Sequence, residues 1–370
     1  MNRVDHSHLP VVAQTHPGMT GKNNEDRYGV SAFQLANGQP ALLALLSDGI
    51  GGHRAGEVAA EMAVERISSL TALSDGKKPV ETLRQAVETA SDEIFAQSQS
   101  RDRQGMGATV ACAWMIGLNL YAATVGDSRI YLMRKNVIQQ LSTDHTWIQE
   151  AIDRGVLQPG QGQGHPNAHV IRRYLGSPKP PSVDFRLRMS GDETDKEALA
   201  NQGLELQGGD RLLLCTDGLT DLVTPLEIMN AFSSLSMPAA VSALIDLANQ
   251  RGGHDNITLI AIEVPVSYAR RVKRRREGLA ALGIFGLAVL VGLAITVALL
   301  VSQSGLLGGQ TTPTVNLTPL APPISTVAPA TLPTTSNAIT TASAPWSTPD
   351  VGGGGGVTMT PWPTNTFPPP

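Results

Sequence analysis

Four carboxylates in this sequence stand at the edge of an apolar run. "LLALLSDG" ends at Asp48-Gly49, "RLLLCTDG" at Asp217-Gly218, and "YAATVGDSR" reaches Asp127. In "GGHDNITLIAIEV" Asp255 opens the run instead. A fifth segment, "KNNEDRYGV", sets Glu25 and Asp26 before a short strand. Taken singly, Asp-Gly is the ordinary signal of a hairpin turn. A hairpin, however, needs a second alternating strand at once. Asp48-Gly49 runs into the glycine-rich "IGGHRAG" and a helical pattern, and Asp217-Gly218 into the helix-like "LTDLVTPLEIMNAF".

Brought together at one end of a sheet, these groups would do metal chemistry. Two like charges ~4 Å apart repel by roughly 4 kcal/mol at an effective dielectric of ~20. Several carboxylates stay ionised in one place only when cations neutralise them. Oxygen ligands, with neither a His pair nor Cys, select Mg²⁺ or Mn²⁺ over zinc. Two such ions about 3.5–4 Å apart can acidify a water and clamp a phosphoryl group. That suits phosphate-ester hydrolysis, whose uncatalysed rate is among the slowest known. Gly49 then turns its carbonyl towards a metal, and Gly51, Gly52 and Gly56 permit close approach of backbone. His53 and Arg54 fall at the rim. His53 reads as a surface-loop histidine or as a general acid for the leaving group.

Aiming such groups calls for rigid elements. Strand-like runs cover 41–46, 109–114, 120–125, 130–133, 211–215 and 257–264. Val80, Leu83, Val87, Ala90 and Ile94 repeat at steps of three and four, which predicts a helix with Pro79 near its start. Ala59, Ala63, Ile67 and Leu70 predict a second helix, and 238–250 a third. Helices come as a block between groups of strands, which predicts an α+β fold of mainly antiparallel sheets with helices on their faces. Cys112 and Cys215 are the only cysteines, each inside an apolar stretch, so a disulfide scaffold is excluded and two buried thiols are expected.

Charge divides the chain. No Lys or Arg follows Arg276, and Asp350 is the only acid after Glu277. Arg270, Arg271, Lys273, Arg274, Arg275 and Arg276 form one basic run. Apart from that run the first part is acidic, which argues against a nucleic-acid grip. Residues 278–301 are 24 residues without a charge. As a helix they would reach about 36 Å at ~1.5 Å per residue, enough to cross a ~30 Å hydrocarbon core. The basic run before them predicts a cytoplasmic N-terminal part and an extracytoplasmic tail. That tail, 302–370, is rich in Thr, Pro, Ser and Gly and is expected to be a disordered stalk.

The order of these motifs resembles the metal-dependent protein phosphatases of type 2C, the PPM family. The runs "NNEDRYGV", "LLSDGIGGHRAGEVAA", "GMGATVACAW", "AATVGDSRIYLMRKNVIQQLSTDHT", "HVIRRYLG", "GDRLLLCTDGLTDLV" and "GGHDNITLIAI" appear in family order. The resemblance spans 9–265, leaving 1–8 as an N-terminal extension and 266–277 as a basic juxtamembrane linker. It implies a central antiparallel β-sandwich flanked by helices on both faces, with two Mn²⁺ or Mg²⁺ ions at one end. It implies that Asp48 bridges the ions, Gly49 offers its carbonyl, Asp217 and Asp255 hold the first, and Glu25 and Asp26 lie near the second. Asp127 matches the ligand of a third, looser ion shared with Asp217. Asn256 matches an active-site neighbour of Asp255, and 145–174 matches a mobile flap.

The implied reaction is hydrolysis of phosphoserine or phosphothreonine by in-line attack of a water bridging the two ions. The implied partners are phosphoproteins, the products of a Ser/Thr protein kinase. One departure stands out. Bacterial members usually carry an Arg five residues before Asp26, where it grips the phosphate; here Gly21 stands there, followed by Lys22. Lys neutralises phosphate but lacks the fork of Arg. Lys22 and Arg54 are therefore the expected phosphate contacts. Gly21 alone supports the alternative of a pseudophosphatase that binds phosphoproteins without turnover.

Overall fold

Continuous apolar runs, whose successive side chains point to opposite faces, set the architecture. The strands are β1 (Asn2–Val4), β2 (Val11–His16), β3 (Arg27–Gln34), β4 (Pro40–Ser47), β5 (Gly49–Ile50), β6 (Gly107–Ala108) and β7 (Val110–Ile116). They continue with β8 (Asn119–Val125), β9 (Arg129–Arg134), β10 (Val137–Gln140), β11 (Leu204–Glu205), β12 (Arg211–Cys215) and β13 (Ile257–Glu263). The helices are α1 (Arg54–Leu73), α2 (Pro79–Gln97), α3 (Trp147–Asp153), α4 (Asp195–Ala200), α5 (Asp217–Thr220), α6 (Pro225–Ser234), α7 (Met237–Gln250) and α8 (Val266–Leu306). The structure is a computed structural model and describes residues 1–51, 54–158, 160–162 and 164–306, without the side chains of Arg54, Arg275, Arg276, 279–285 and 302–306. The chain divides into two units, Met1–Leu299 and Leu300–Pro370.

One sheet runs β1-β3-β4-β7-β8-β11 and the other β10-β9-β12-β13-β2; β5 and β6 pair as a short ribbon. The pairings are antiparallel throughout. Along β4, Leu43 and Leu45 face α1 and α2, beside Ile67, Leu83 and Ile94. Leu42, Ala44 and Leu46 face the second sheet, against Ile130, Leu132, Leu212, Leu214 and Ile260. The far side of that sheet, with Leu213, Cys215 and Leu259, packs on Val241, Leu244 and Ile245 of α7. The result is a four-layer helix–sheet–sheet–helix sandwich, in line with the α+β expectation. Both cysteines are buried and unpaired, and burial pushes both thiols up to about 12.

Boundaries differ from the sequence reading in instructive ways. The first residues are not an appendage: β1 pairs with β3, Asn2 opposite Gln34. Residues 266–277 are not an open linker but the start of α8. Tyr268, Ala269 and Val272 pack on the inter-sheet core, and Val266 and Ala269 crowd the bare Cα of Gly208. Helix α8 spans 41 residues and contains the whole charge-free stretch. Among the described residues no helix is long and apolar enough to cross a membrane. The side chains of 279–285, part of the expected span, lie outside those residues, as does the tail from 307.

Because β4 is buried on both faces and ends at Asp48, its packing supports the site directly. Leu46→Ala should cost about 2–5 kcal/mol, the usual range for a buried Leu→Ala. Urea denaturation checks this, and a loss under 1 kcal/mol would show that the inter-sheet layer collapses to fill the gap.

Candidate active site

The antiparallel registers decide where the carboxylates meet. β3 starts where β4 ends, since Arg27 lies opposite Ser47. β7 starts and β8 ends at that same end, where Val110 faces Val125. In the second sheet Cys215, the last residue of β12, lies opposite Arg129, the first of β9, and opposite Leu259 near the start of β13. Glu25 and Asp26 precede β3, Asp48 follows β4, Asp127 follows β8, Asp217 follows β12 and Asp255 precedes β13. Every expected carboxylate therefore sits at one end of the sandwich.

Their electrostatics show how close they come. Burial pushes Asp48 well above the usual carboxylate range, and Asp26, Asp217, Asp127 and Asp255 push it further. Burial raises Asp217 to about 6, helped by Asp221 and Asp255, while a hydrogen bond with Asp48 pulls the other way. Two carboxyls that hydrogen-bond to each other need a proton or a cation between them. Burial also raises Asp127, with Asp217 and Asp144 adding to it.

Asp26 shows most plainly what is missing. It is 1% exposed, and burial lifts it to about 7 although hydroxyls of Thr258 and Thr216 oppose the shift. Both hydroxyls donate to Oδ2, at 2.6 and 3.0 Å. Thr258 has spent its one proton there, so it accepts from Thr15 Oγ1 at 2.7 Å, and Thr15 accepts from Asn24 Nδ2 at 2.8 Å. This relay saturates one oxygen and leaves Oδ1 buried with no hydrogen-bond partner. Asp127 Oδ1 and Asp217 Oδ1 are orphaned in the same way. Orphaned anionic oxygens in an all-oxygen cluster are the donor set of Mg²⁺ or Mn²⁺.

Backbone completes the set. Asp48 is fixed by its own N–H donating to Thr109 Oγ1 at 3.0 Å and by its carbonyl accepting from Thr109 N at 2.8 Å. A Cβ on Gly56 would collide with Glu25 Oε2 and crowd the Gly49 carbonyl at 2.8 Å. Those two oxygens are thus neighbours, and only glycine at the start of α1 leaves them room. Asn256 is a positioning residue. Its Oδ1 accepts from Glu25 N at 2.7 Å, and its Nδ2 donates to the carbonyls of Pro17 and Asn23.

The rim is less complete. His53 lies outside the described residues, and of Arg54 only the backbone, the first residue of α1, is described. Lys22 is exposed. Gly21 has φ of +72° with open space around it. A side chain there fits sterically but strains the backbone by roughly 1–2 kcal/mol. The loop is shaped for glycine, so Gly21→Arg would confound phosphate binding with strain.

Sequence reasoning missed the supporting shell. Thr109, Thr216 and Thr258 gave no signal beyond their places beside strand ends. Asp221 was readable: it stands four residues after Asp217, one helical turn on. His145 is held at the start of the segment 145–174. Its Nδ1 accepts from Gly126 N at 3.0 Å, so its Nε2 carries the proton towards Asp184 Oδ2 at 3.1 Å.

Comparison with known proteins decides the family. The protein phosphatase 2C family model matches residues 28–151. The serine/threonine phosphatase stp of Listeria monocytogenes is 34% identical over 258 residues, covering 68% of this chain and 94% of that protein. The chain belongs to the protein phosphatase 2C family. It is accordingly a protein serine/threonine phosphatase, a phosphoric monoester hydrolase. The serine/threonine phosphatase of S. agalactiae superposes with a TM-score of 0.61 at 30% identity, over 70% of this chain and all of that one. The catalytic domain of the phosphatase PstP, solved with two manganese ions, superposes with a TM-score of 0.56 at 30% identity, over 70% and 98%.

The raised carboxyls carry a pH signature. Without metal, the folded chain holds protons on Asp26, Asp48, Asp127 and Asp217 that the unfolded chain releases above pH ~4. Stability should therefore fall as pH rises from ~4 through about 7, the value for Asp26. Calorimetry in chelator should show the melting temperature dropping by at least ~3 °C between pH ~5 and ~7.5, the scale of ~1 kcal/mol in a domain of this size. Mn²⁺ should abolish the drop. A flat profile in chelator would mean that the cluster ionises freely on its own.

Proposed function

We propose that this chain is a membrane-anchored phosphatase of phosphoserine and phosphothreonine in proteins, with its catalytic domain in the cytoplasm. The observation that carries the chemistry is the orphaned oxygens of Asp26, Asp127 and Asp217, converging with Asp48 at one end of the sandwich. Asp48, Asp217, Asp255, Glu25, Asp26 and the Gly49 carbonyl would hold two ions, Mn²⁺ or Mg²⁺, and Asp127 with Asp217 a third. Bound divalent ions supply charge neutralisation for a phosphoryl group and lower the pKa of a water.

The chain's own groups do the rest. Thr258 and Thr216 orient Asp26, Thr109 fixes Asp48 at the tip of a strand buried on both faces, and Asn256 holds the loop that carries Glu25. Attack is in line by water on phosphorus, with no covalent phosphoenzyme. Lys22 and Arg54 neutralise the substrate phosphate, and His53 protonates the leaving serine or threonine oxygen. Substrates are phosphoproteins made by a Ser/Thr kinase. A pseudophosphatase rests on Gly21 alone and is not favoured, because the metal carboxylates are all present.

Anchoring is supported by the charge-free stretch 278–301 and the basic run before it. Along α8, Leu287, Leu290, Leu293, Leu299 and Leu300 are each more than half exposed. Burying such side chains in lipid is worth roughly 1.5–3 kcal/mol each. The tail then lies outside the cell.

Hydrolysis of p-nitrophenyl phosphate tests the chemistry. With Mn²⁺ the enzyme should turn over, and Asp217→Asn should lower kcat at least ~100-fold. Lys22→Ala should act mostly by raising KM, several-fold. No metal-dependent turnover on any phosphoester would sink the reading.

Anchoring is tested by fractionation. The full chain should stay in the alkali-washed membrane pellet, and deletion of 278–301 should release it. Recovery of the full chain in the soluble fraction would refute the anchor.

A further inference from the structure

A cavity of about 500 Å³ opens between the end of α2, the 100–106 segment and the 174–178 segment. The short ribbon sets it next to Gly49. Gly49 lies opposite Ala108 and Ile50 opposite Gly107, while Ala108 and Leu175 exchange both backbone bonds, at 3.1 and 2.8 Å. A Cβ on Gly107 would come within 2.7 Å of the Tyr174 ring, and one on Gly51 within 3.1 Å of Met106 Cα. Met106 and Tyr174, which line the cavity, therefore pack on the ribbon that carries Gly49. Gly176 N donates to Ser91 Oγ of α2 at 3.1 Å, so two of the walls are tied together.

The lining states what would fill it. Phe95, Met106, Tyr174 and Pro178 give apolar walls. The polar groups divide in two. Ser98 Oγ and Gln99 Nε2 donate to the Phe95 carbonyl at 2.8 and 3.2 Å, and Ser100 Oγ to the Gln97 carbonyl at 3.1 Å. Those three are spent on the open carbonyls that end a helix. The side chains of Arg101 and Gln104 and the Tyr174 hydroxyl have no hydrogen bond or ion pair among the described residues, although the neighbouring Arg103 donates to Gln97 Oε1 at 2.8 Å. Among the described residues no acid lines the cavity. Unspent donors, one of them a guanidinium, beside apolar walls suit a carboxylate next to an apolar side chain.

We infer that this cavity is a subsite for the substrate phosphoprotein, taking a segment with an apolar side chain beside an acidic one, two or three residues from the phosphorylated serine or threonine. Reach sets that spacing. Paired Cα atoms in an antiparallel ribbon lie ~5 Å apart, and Met106 stands two residues beyond Ala108, ~6.6 Å along the strand. The cavity floor is thus ~8 Å from Gly49, and an extended peptide rises ~3.3 Å per residue. The inference rests on the phosphatase reading and adds to it the kind of sequence around the phosphate that the enzyme prefers.

Synthetic phosphothreonine peptides test it, with the full chain and Mn²⁺. A Leu-Glu pair is placed two or three residues before or after the phosphothreonine, and each peptide is matched by a Leu-Gln control. For at least one placement the wild type should show kcat/KM at least ~10-fold higher for Glu than for Gln, mostly through KM, the scale of one hydrogen bond to a charged group. In Arg101→Gln that ratio should fall to about one, since a neutral amide makes no charge-assisted bond. Tyr174→Phe, which keeps the ring on Gly107, should lower it in part. Each ratio is taken within one enzyme, so a general loss of turnover does not imitate the effect. A ratio near one in the wild type at every placement, or a ratio unchanged in Arg101→Gln, overturns the subsite. Turnover of p-nitrophenyl phosphate, which has no flanking residues, is followed on the same wild-type samples. That turnover without a preference for Glu overturns the subsite and keeps the phosphatase, whereas no turnover of any phosphoester overturns both.

Discussion

Five aspartates that the fold crowds into one end of a sandwich set the terms for the rest of the molecule. Asp26, Asp48, Asp127 and Asp217 repel one another in a space largely closed to water, and the exposed Asp255 adds its charge from the edge. An unpaired buried charge costs several kcal/mol, so the cluster must be filled with protons or with cations. The fold supplies only part of the answer. Hydroxyl donors saturate one oxygen of Asp26 and stop there. The oxygens left over are the ones that a cation completes, and the Glu25 carboxylate and the Gly49 carbonyl are crowded together on the bare Cα of Gly56.

Holding such a cluster requires a frame that cannot slip. Strands β4, β7, β12 and β13 are apolar on both faces, because each lies between a helix layer and the other sheet. A one-residue slip would exchange the two buried sets and misfit both layers. Antiparallel pairing then does the gathering. Chain segments far apart in sequence end or begin at the same edge, and each presents its carboxylate there. Repulsion among the aspartates is thus opposed by the packing of four layers.

Much of this could be read from the sequence, because strand interiors and strand ends differ sharply in type. The apolar runs ending in Asp-Gly gave the strands to within two residues, and the failure of the hairpin reading pointed to a site. The second helix was marked by its period and by Pro79, and the observed helix starts at that proline. Other features were hidden for physical reasons. β2 reads "VVAQTH", half-buried throughout, so it lacks the continuous apolar run of a central strand. The threonine relay was invisible because its members come from three separate segments and meet only in the folded state. Gly21 looked like a lost arginine, yet its positive φ shows a turn that uses glycine.

A single strand links the site to α8. Asp255 and Asn256 lie at the working end and lead straight into β13, which crosses the sandwich; only Val264 and Pro265 separate its end from α8. The first turns of α8 are therefore packed at the end opposite the carboxylates. His8 confirms the placement: its ring lies 5.5 Å from that of Tyr268, and its Nε2 is 2.9 Å from the carbonyl of Gly117, in the β7–β8 turn far from Asp127. On the proposed anchoring, a helix that leaves from that end puts the bilayer behind the domain and turns the carboxylate cluster towards the cytoplasm. The same strand that fixes Asp255 by its first residues fixes the helix by its last, so the core that aims the carboxylates also sets where α8 begins.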